Sequence, residues 1–217
     1  MSFKGGLEAC CPNGCPPFDT EVWSFIRGDR DPELRETIMA RECNLLLCPS
    51  CDKPFYAEAP YVYFEPAAEL LAFVFPESYA GRKDYWLGKM RDDFSQMRDA
   101  LGAGMTAAVE PEVFFGVEGL AELLAAEDFR GAETEVMEAV AKELGLGLYQ
   151  VSPSFARRQK VPRSLPSSNP RAADRDSVIE GLKKLLKANA SLSSFKAFLK
   201  TLEKPGAAMP PSAQRQS

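Results

Sequence analysis

Two short runs, Cys11-Pro12-Asn13-Gly14-Cys15 and Cys48-Pro49-Ser50-Cys51, set pairs of thiols side by side in a chain that contains no histidine. Four thiolates delivered two by two from tight turns make a tetrahedral cage for zinc, with metal–sulfur distances of about 2.3 Å. Proline at the second position fixes φ near about −65°, and the backbone N–H groups that follow can face the first sulfur and spread its charge. The first run is one residue longer, and Asn13-Gly14 supplies a flexible turn that closes the chelate. This pattern predicts a structural Zn(2+) held by Cys11, Cys15, Cys48 and Cys51. Iron in the same four sulfurs, a redox dithiol, and buried or oxidised thiols without metal are the alternatives. Cys10 is the alternative to Cys11 as ligand, and Cys43, with no partner in spacing, reads as a small apolar core residue.

Other chemistries lack their parts. A closed four-sulfur site leaves no open position for water or substrate, and there is no histidine for general-base work. Gly102-Ala103-Gly104 lacks the strand and lysine of a phosphate loop, and Glu118, Glu122, Asp128 and Glu133 fit solvated helix faces. No catalytic residue and no further cofactor is expected. The function read from these residues is therefore a non-enzymatic, zinc-stabilised interaction or scaffold module. Its partner would be a protein, or a second copy through residues 175–204.

Charge supplies the competing reading. Residues 1–151 carry 13 Lys+Arg against 27 Asp+Glu, giving −14, whereas residues 152–217 carry 13 against 4, giving +9. A nucleic-acid-binding protein using Arg157, Arg158, Lys160, Arg163, Arg171 and Arg175 is the alternative, opposed by the acidic charge of the cysteine-bearing part. A thiol redox protein using Cys10 or Cys43 is a third. The first residues lack the apolar run of a secretion signal, and no stretch approaches the ~20 apolar residues of a membrane span. A reducing, cytoplasmic location is expected, where clustered cysteines are more often metal ligands than disulfides.

The elements that must position the thiols are legible as patterns. Phe18 to Ile26 alternates as a strand, and Asp31-Pro32-Glu33 caps a short helix to about Glu42. Asn44 to Leu47 leads into the second knuckle, and Pro54–Ala57, Tyr61–Glu65 and Leu70–Phe75 read as successive strands. Trp86, Met90, Phe94, Met97 and Leu101 mark the buried stripe of a helix opening at 81–83. Glu112–Gly116 reads as an extended segment, followed by helices near Glu118–Ala126 and Ala132–Leu144 and a closing strand at Leu148–Val151.

Beyond that, prolines, serines and arginines over 152–174 predict a linker. Ser177-Val178-Ile179-Glu180 matches a capping box, and two amphipathic helices over 175–204 form a hairpin whose apolar faces need covering. Residues 205–217 are expected to be disordered.

These stretches resemble the CpXC-domain protein family over roughly residues 8–150. The similar parts are the two knuckles, Phe18 to Leu47 with its Asp31-Pro32-Glu33-Leu34 helix start and Asn44, and Ala59-Pro60-Tyr61-Val62-Tyr63 leading to Phe73-Val74-Phe75-Pro76. The resemblance implies two cysteine pairs as metal ligands, carried here by Cys11, Cys15, Cys48 and Cys51. The five-residue first knuckle departs from the family pattern. The expected fold is α+β, with zinc-ribbon-like knuckles on an antiparallel sheet and packed helices over 1–151. The linker and the C-terminal helical hairpin follow.

Overall fold

The computed structural model describes residues 1–101 and 110–213, and the side chains of 1–95 and 110–213. The Gly102-Ala103-Gly104 run, the Met97 and Leu101 side chains and residues 214–217 lie outside the described residues. The chain is α+β and divides into two compact units, Met1–Ala125 and Ala126–Ser217.

The first unit is built on a five-stranded sheet of order β1-β2-β5-β6-β7, with β1 Phe3–Ala9, β2 Phe18–Arg27, β5 Tyr61–Glu65, β6 Leu70–Phe75 and β7 Glu112–Phe115. The sheet is mixed, not antiparallel: β2 pairs with β5, and β6 with β7, in parallel. The connections explain this. Between β2 and β5 the chain forms α1 (Pro32–Met39) and a small hairpin of β3 (Leu45–Leu47) and β4 (Pro54–Tyr56); between β6 and β7 it forms α2 (Lys83–Leu101). Long crossovers return a strand in the same direction, whereas short turns reverse it.

All six residues of β6 are buried, because the sheet is covered on both faces. Leu70, Ala72 and Val74 join Tyr61, Tyr63, Ile26 and Ile38 in one cluster, closed by Leu120 and Leu124 of α3 (Glu118–Glu143). Leu71, Phe73 and Phe75 point the other way, onto Met90, Trp86 and Phe94 of α2. Period-two alternation thus sorts one apolar run into two cores. Asp31 stands at the start of α1 without a side-chain cap bond; its carboxylate instead accepts from the Ser2 backbone N–H at 3.2 Å and hydroxyl at 2.5 Å.

β1 is an element the sequence reading missed. Its exposed and covered positions alternate, but two glycines thin out the pattern. The two helices expected on either side of Gly131 are one, because a single glycine in a helix costs only about 1 kcal/mol.

In the second unit, the expected linker over 152–174 is structured. Ser152 accepts from the Phe155 N–H and Pro153 starts α4 (Pro153–Gln159). β9 (Ser164–Ser167) is buried throughout and pairs antiparallel with β8 (Gly147–Gln150). Its serines bond inside the unit: Ser164 Oγ donates to Gln150 Oε1 at 2.8 Å, and Ser167 Oγ to Ser177 Oγ at 3.1 Å. A polar composition was satisfied by partners, not by water.

The two hairpin helices are α5 (Arg175–Ala188) and α6 (Ser193–Leu202). The capping box sits three residues earlier than expected, with Asp174 as cap and Ser177 as its reciprocal partner. Val178, Leu182, Leu185, Phe195, Phe198 and Leu202 are buried with Val151, Ala156 and Leu165. The apolar faces left open by the sequence are therefore covered within the unit. Gly181 lies on the Pro166 carbonyl, where an added Cβ would meet backbone. The expected disordered tail is ordered as far as 213: Tyr149 donates to the Pro210 carbonyl at 2.5 Å, and Ser212 bridges Val151.

Candidate metal centre

Both knuckles are hairpin turns. The first joins β1 to β2, whose register begins at Ala9 opposite Phe18, and the second joins β3 to β4, whose register ends at Leu47 opposite Pro54. In the first, the Gly14 N–H bonds the Cys11 carbonyl at 3.0 Å, with Gly14 at φ +75, a conformation side chains oppose. In the second, the Asp52 N–H bonds the Cys48 carbonyl at 2.9 Å and the Cys48 N–H bonds the Lys53 carbonyl at 3.1 Å.

Asn44 anchors the second hairpin. Held at φ 56, it accepts from the Trp23 N–H at 2.8 Å and donates to the Trp23 carbonyl at 2.9 Å. Its own carbonyl accepts from the Ala57 N–H at 2.9 Å. One side chain thus fixes the β3–β4 hairpin to β2, the strand that leaves the first knuckle. The Phe18 and Phe55 rings meet edge to face at 6.3 Å beside it.

The result is a four-sulfur cluster. The Sγ atoms of Cys11, Cys15, Cys48 and Cys51 all lie within 4.8 Å of one another, and Cys11 and Cys51 are 3.7 Å apart. Four sulfurs bound at about 2.3 Å to one centre stand about 3.8 Å apart, so the donor set fits a tetrahedral ion. Cys11 and Cys48 are buried, and Cys15 and Cys51 half-buried. Cys10 is exposed outside the cluster, and Cys43 is buried away from it.

Around the sulfurs the charge is unevenly shared. The backbone N–H of Lys53, foremost, draws the Cys51 thiol down to about 7. Cys15 is pushed up to about 12, first by the hydrogen bond it shares with Cys51 and then by burial. Thiolate character therefore gathers on Cys51, and a metal entering must displace protons. Asn13 was read only as a turn residue. Its amide reaches the Cys11 sulfur at 3.7 Å and the Cys51 sulfur at 3.6 Å, a role its position inside the knuckle could have signalled.

Of the six basic residues of the nucleic-acid alternative, Arg157, Arg163 and Arg175 have partners inside the unit, while Arg158, Lys160 and Arg171 are exposed. Arg157 and Arg163 reach the buried carboxylate of Glu127 at 3.5 and 3.8 Å, with Arg130 at 3.2 Å. Arg175 donates to the Leu202 and Lys204 carbonyls, at 2.7 and 3.0 Å. Among the described residues no helix is long and apolar enough to cross a membrane.

The chain belongs to the CpXC family: the family model described as CpXC protein matches residues 10–141. That match takes in both knuckles and Asn44. No curated protein and no solved structure matches the chain.

Proposed function

We propose that the chain is a zinc-stabilised, non-enzymatic module for protein–protein interaction, with Cys11, Cys15, Cys48 and Cys51 as the ligands of one structural ion. The observation that carries this reading is the gathering of four sulfurs from two hairpin turns within 4.8 Å. When bound, the ion would supply a cross-link, tying the β1–β2 turn to the β3–β4 turn. Four sulfur donors complete a zinc tetrahedron without an open position, which supports a structural over a catalytic role.

Support for interaction comes from the knuckle hairpin. Leu45, Leu47 and Tyr56 are exposed to 40, 62 and 46%, and Leu45 stands opposite Tyr56 in the register. With side chains alternating along each strand, these three share one face of the ribbon. The ion would hold that face rigid, so partner capture should depend on metal.

Elemental analysis of the purified chain should return about one zinc per chain. Chelation should lower its melting temperature. Material without zinc or iron, or melting indifferent to chelator, overturns the reading.

A further inference from the structure

β1 stands at one end of the five-stranded sheet, and among the described residues no strand pairs with its outer edge. It is seven residues long, against four for β7 at the other end. An open edge of that length presents backbone N–H and C=O groups ready to pair with another strand. Inside it stands Gly6, which is not at positive φ, and a Cβ added there would meet nothing within 4 Å. Nothing inside the chain therefore requires glycine at this position. A glycine in a strand interior weakens it, and often marks a place where a second backbone comes close. Lys4 and Glu8 flank Gly6 at equal spacing, both exposed and on the same face of the strand.

We propose that β1 pairs antiparallel with β1 of a second copy of the chain, about a two-fold axis through Gly6. In that register Gly6 faces itself, Lys4 stands opposite the partner's Glu8, and Glu8 opposite the partner's Lys4. The strand is thus complementary to itself in charge, and opposite charges facing across strands stabilise the pairing. Within one chain Glu8 stands opposite Asp19 and Gly6 opposite Glu21, so the incoming lysine meets acidic neighbours from β2 as well. On the other face the partner's Leu7 stands opposite Gly5 and diagonal to Phe3. Phe3 is 57% exposed, with its ring stacked on Phe25 at 5.5 Å, and takes cover from that contact. A glycine-rich strand specifies its register weakly, but here a slip of one residue breaks both ion pairs. The contact uses the same patch on both chains, so it closes at two and leaves no free edge on either β1. It goes beyond the proposed interaction face of the β3–β4 ribbon and does not depend on the ion.

Sedimentation of the full, metal-loaded chain over a range of concentrations tests this. The mass should rise from 23.9 kDa toward twice that value. Lys4→Glu and Glu8→Lys each turn both facing pairs into like charges, and each should weaken dimerisation about tenfold. The doubly substituted Lys4→Glu, Glu8→Lys chain has both pairs again in reversed order and should dimerise as the parent does. An equimolar mixture of the two singly substituted chains should form a heterodimer, because every facing pair in it is opposite in charge. A mass that stays at 23.9 kDa at every concentration overturns the proposal. So does a dimer indifferent to both single substitutions, or one that they weaken and that neither the double substitution nor the mixture recovers.

Discussion

The units Met1–Ala125 and Ala126–Ser217 both have apolar cores but differ in the polar groups they gather. All six cysteines lie in the first, and four of them gather where two hairpin turns converge. The second has none, and joins α5, α6, α4 and the β8–β9 ribbon around buried Val151, Leu165, Leu182 and Phe195. It also buries a carboxylate, Glu127, among three guanidinium groups. The first unit thus sets a four-sulfur cluster that could hold an ion beside its two apolar clusters, whereas the second relies on apolar packing and a buried ion cluster.

The sharpest way to break that contrast is to remove a ligand. Cys48→Ser and Cys51→Ser should abolish metal binding, which in zinc-finger peptides is worth about 10–16 kcal/mol. Hydrogen exchange should then accelerate around the knuckles and leave α5 and α6 protected. Cys43→Ser should keep its metal. Equal acceleration in both units would end the comparison.

The converse substitution is Glu127→Ala, which strips the carboxylate from Arg130, Arg157 and Arg163. Removing one member of a buried ion cluster costs about 3–5 kcal/mol. The loss should be read as faster exchange in the second unit, with zinc content unchanged. Asn44→Ala comes next, since two hydrogen bonds to Trp23 disappear and alanine is poorly suited to φ 56. About 2 kcal/mol is expected, seen as a lower melting temperature and faster metal release to chelator.

The smallest effect is that of alkali. Burial pushes the Cys43 thiol from 9.0 up to about 12, and burial likewise raises Tyr61 and Tyr63, with Glu65 adding to the latter. Groups raised in the folded state contribute stability that is complete below their unfolded values, near pH 9 to 10. That stability is lost as pH climbs through the folded values. Melting temperature should therefore hold to about pH 9 and fall above it, and Cys43→Ala should blunt the early part of the fall.

Much of the first unit was legible because its signals are local. The bounds of β5 and β6 could be read from apolar and aromatic runs between proline-containing turns, and the four clustered sulfurs from their knuckles. The second unit misled because its cues depend on partners. Ser164, Pro166 and Ser167 look like a linker until Gln150 and Ser177 satisfy the hydroxyls and β8 supplies the pairing. Arg157 and Arg163, two of the six basic residues in the nucleic-acid alternative, both reach Glu127, a pairing no local pattern announces.

Residue types and short spacings by themselves determined the α+β class, the soft donor set and the turns that carry it, since thiol chemistry and backbone preference act over a few residues. Tertiary structure alone decided the parallel pairings and that Asn44 would bind Trp23. It also decided which neighbour, Cys10 or Cys11, would face the other sulfurs. Those outcomes depend on groups far apart in the chain, whose meeting is set by the packing of the whole sheet.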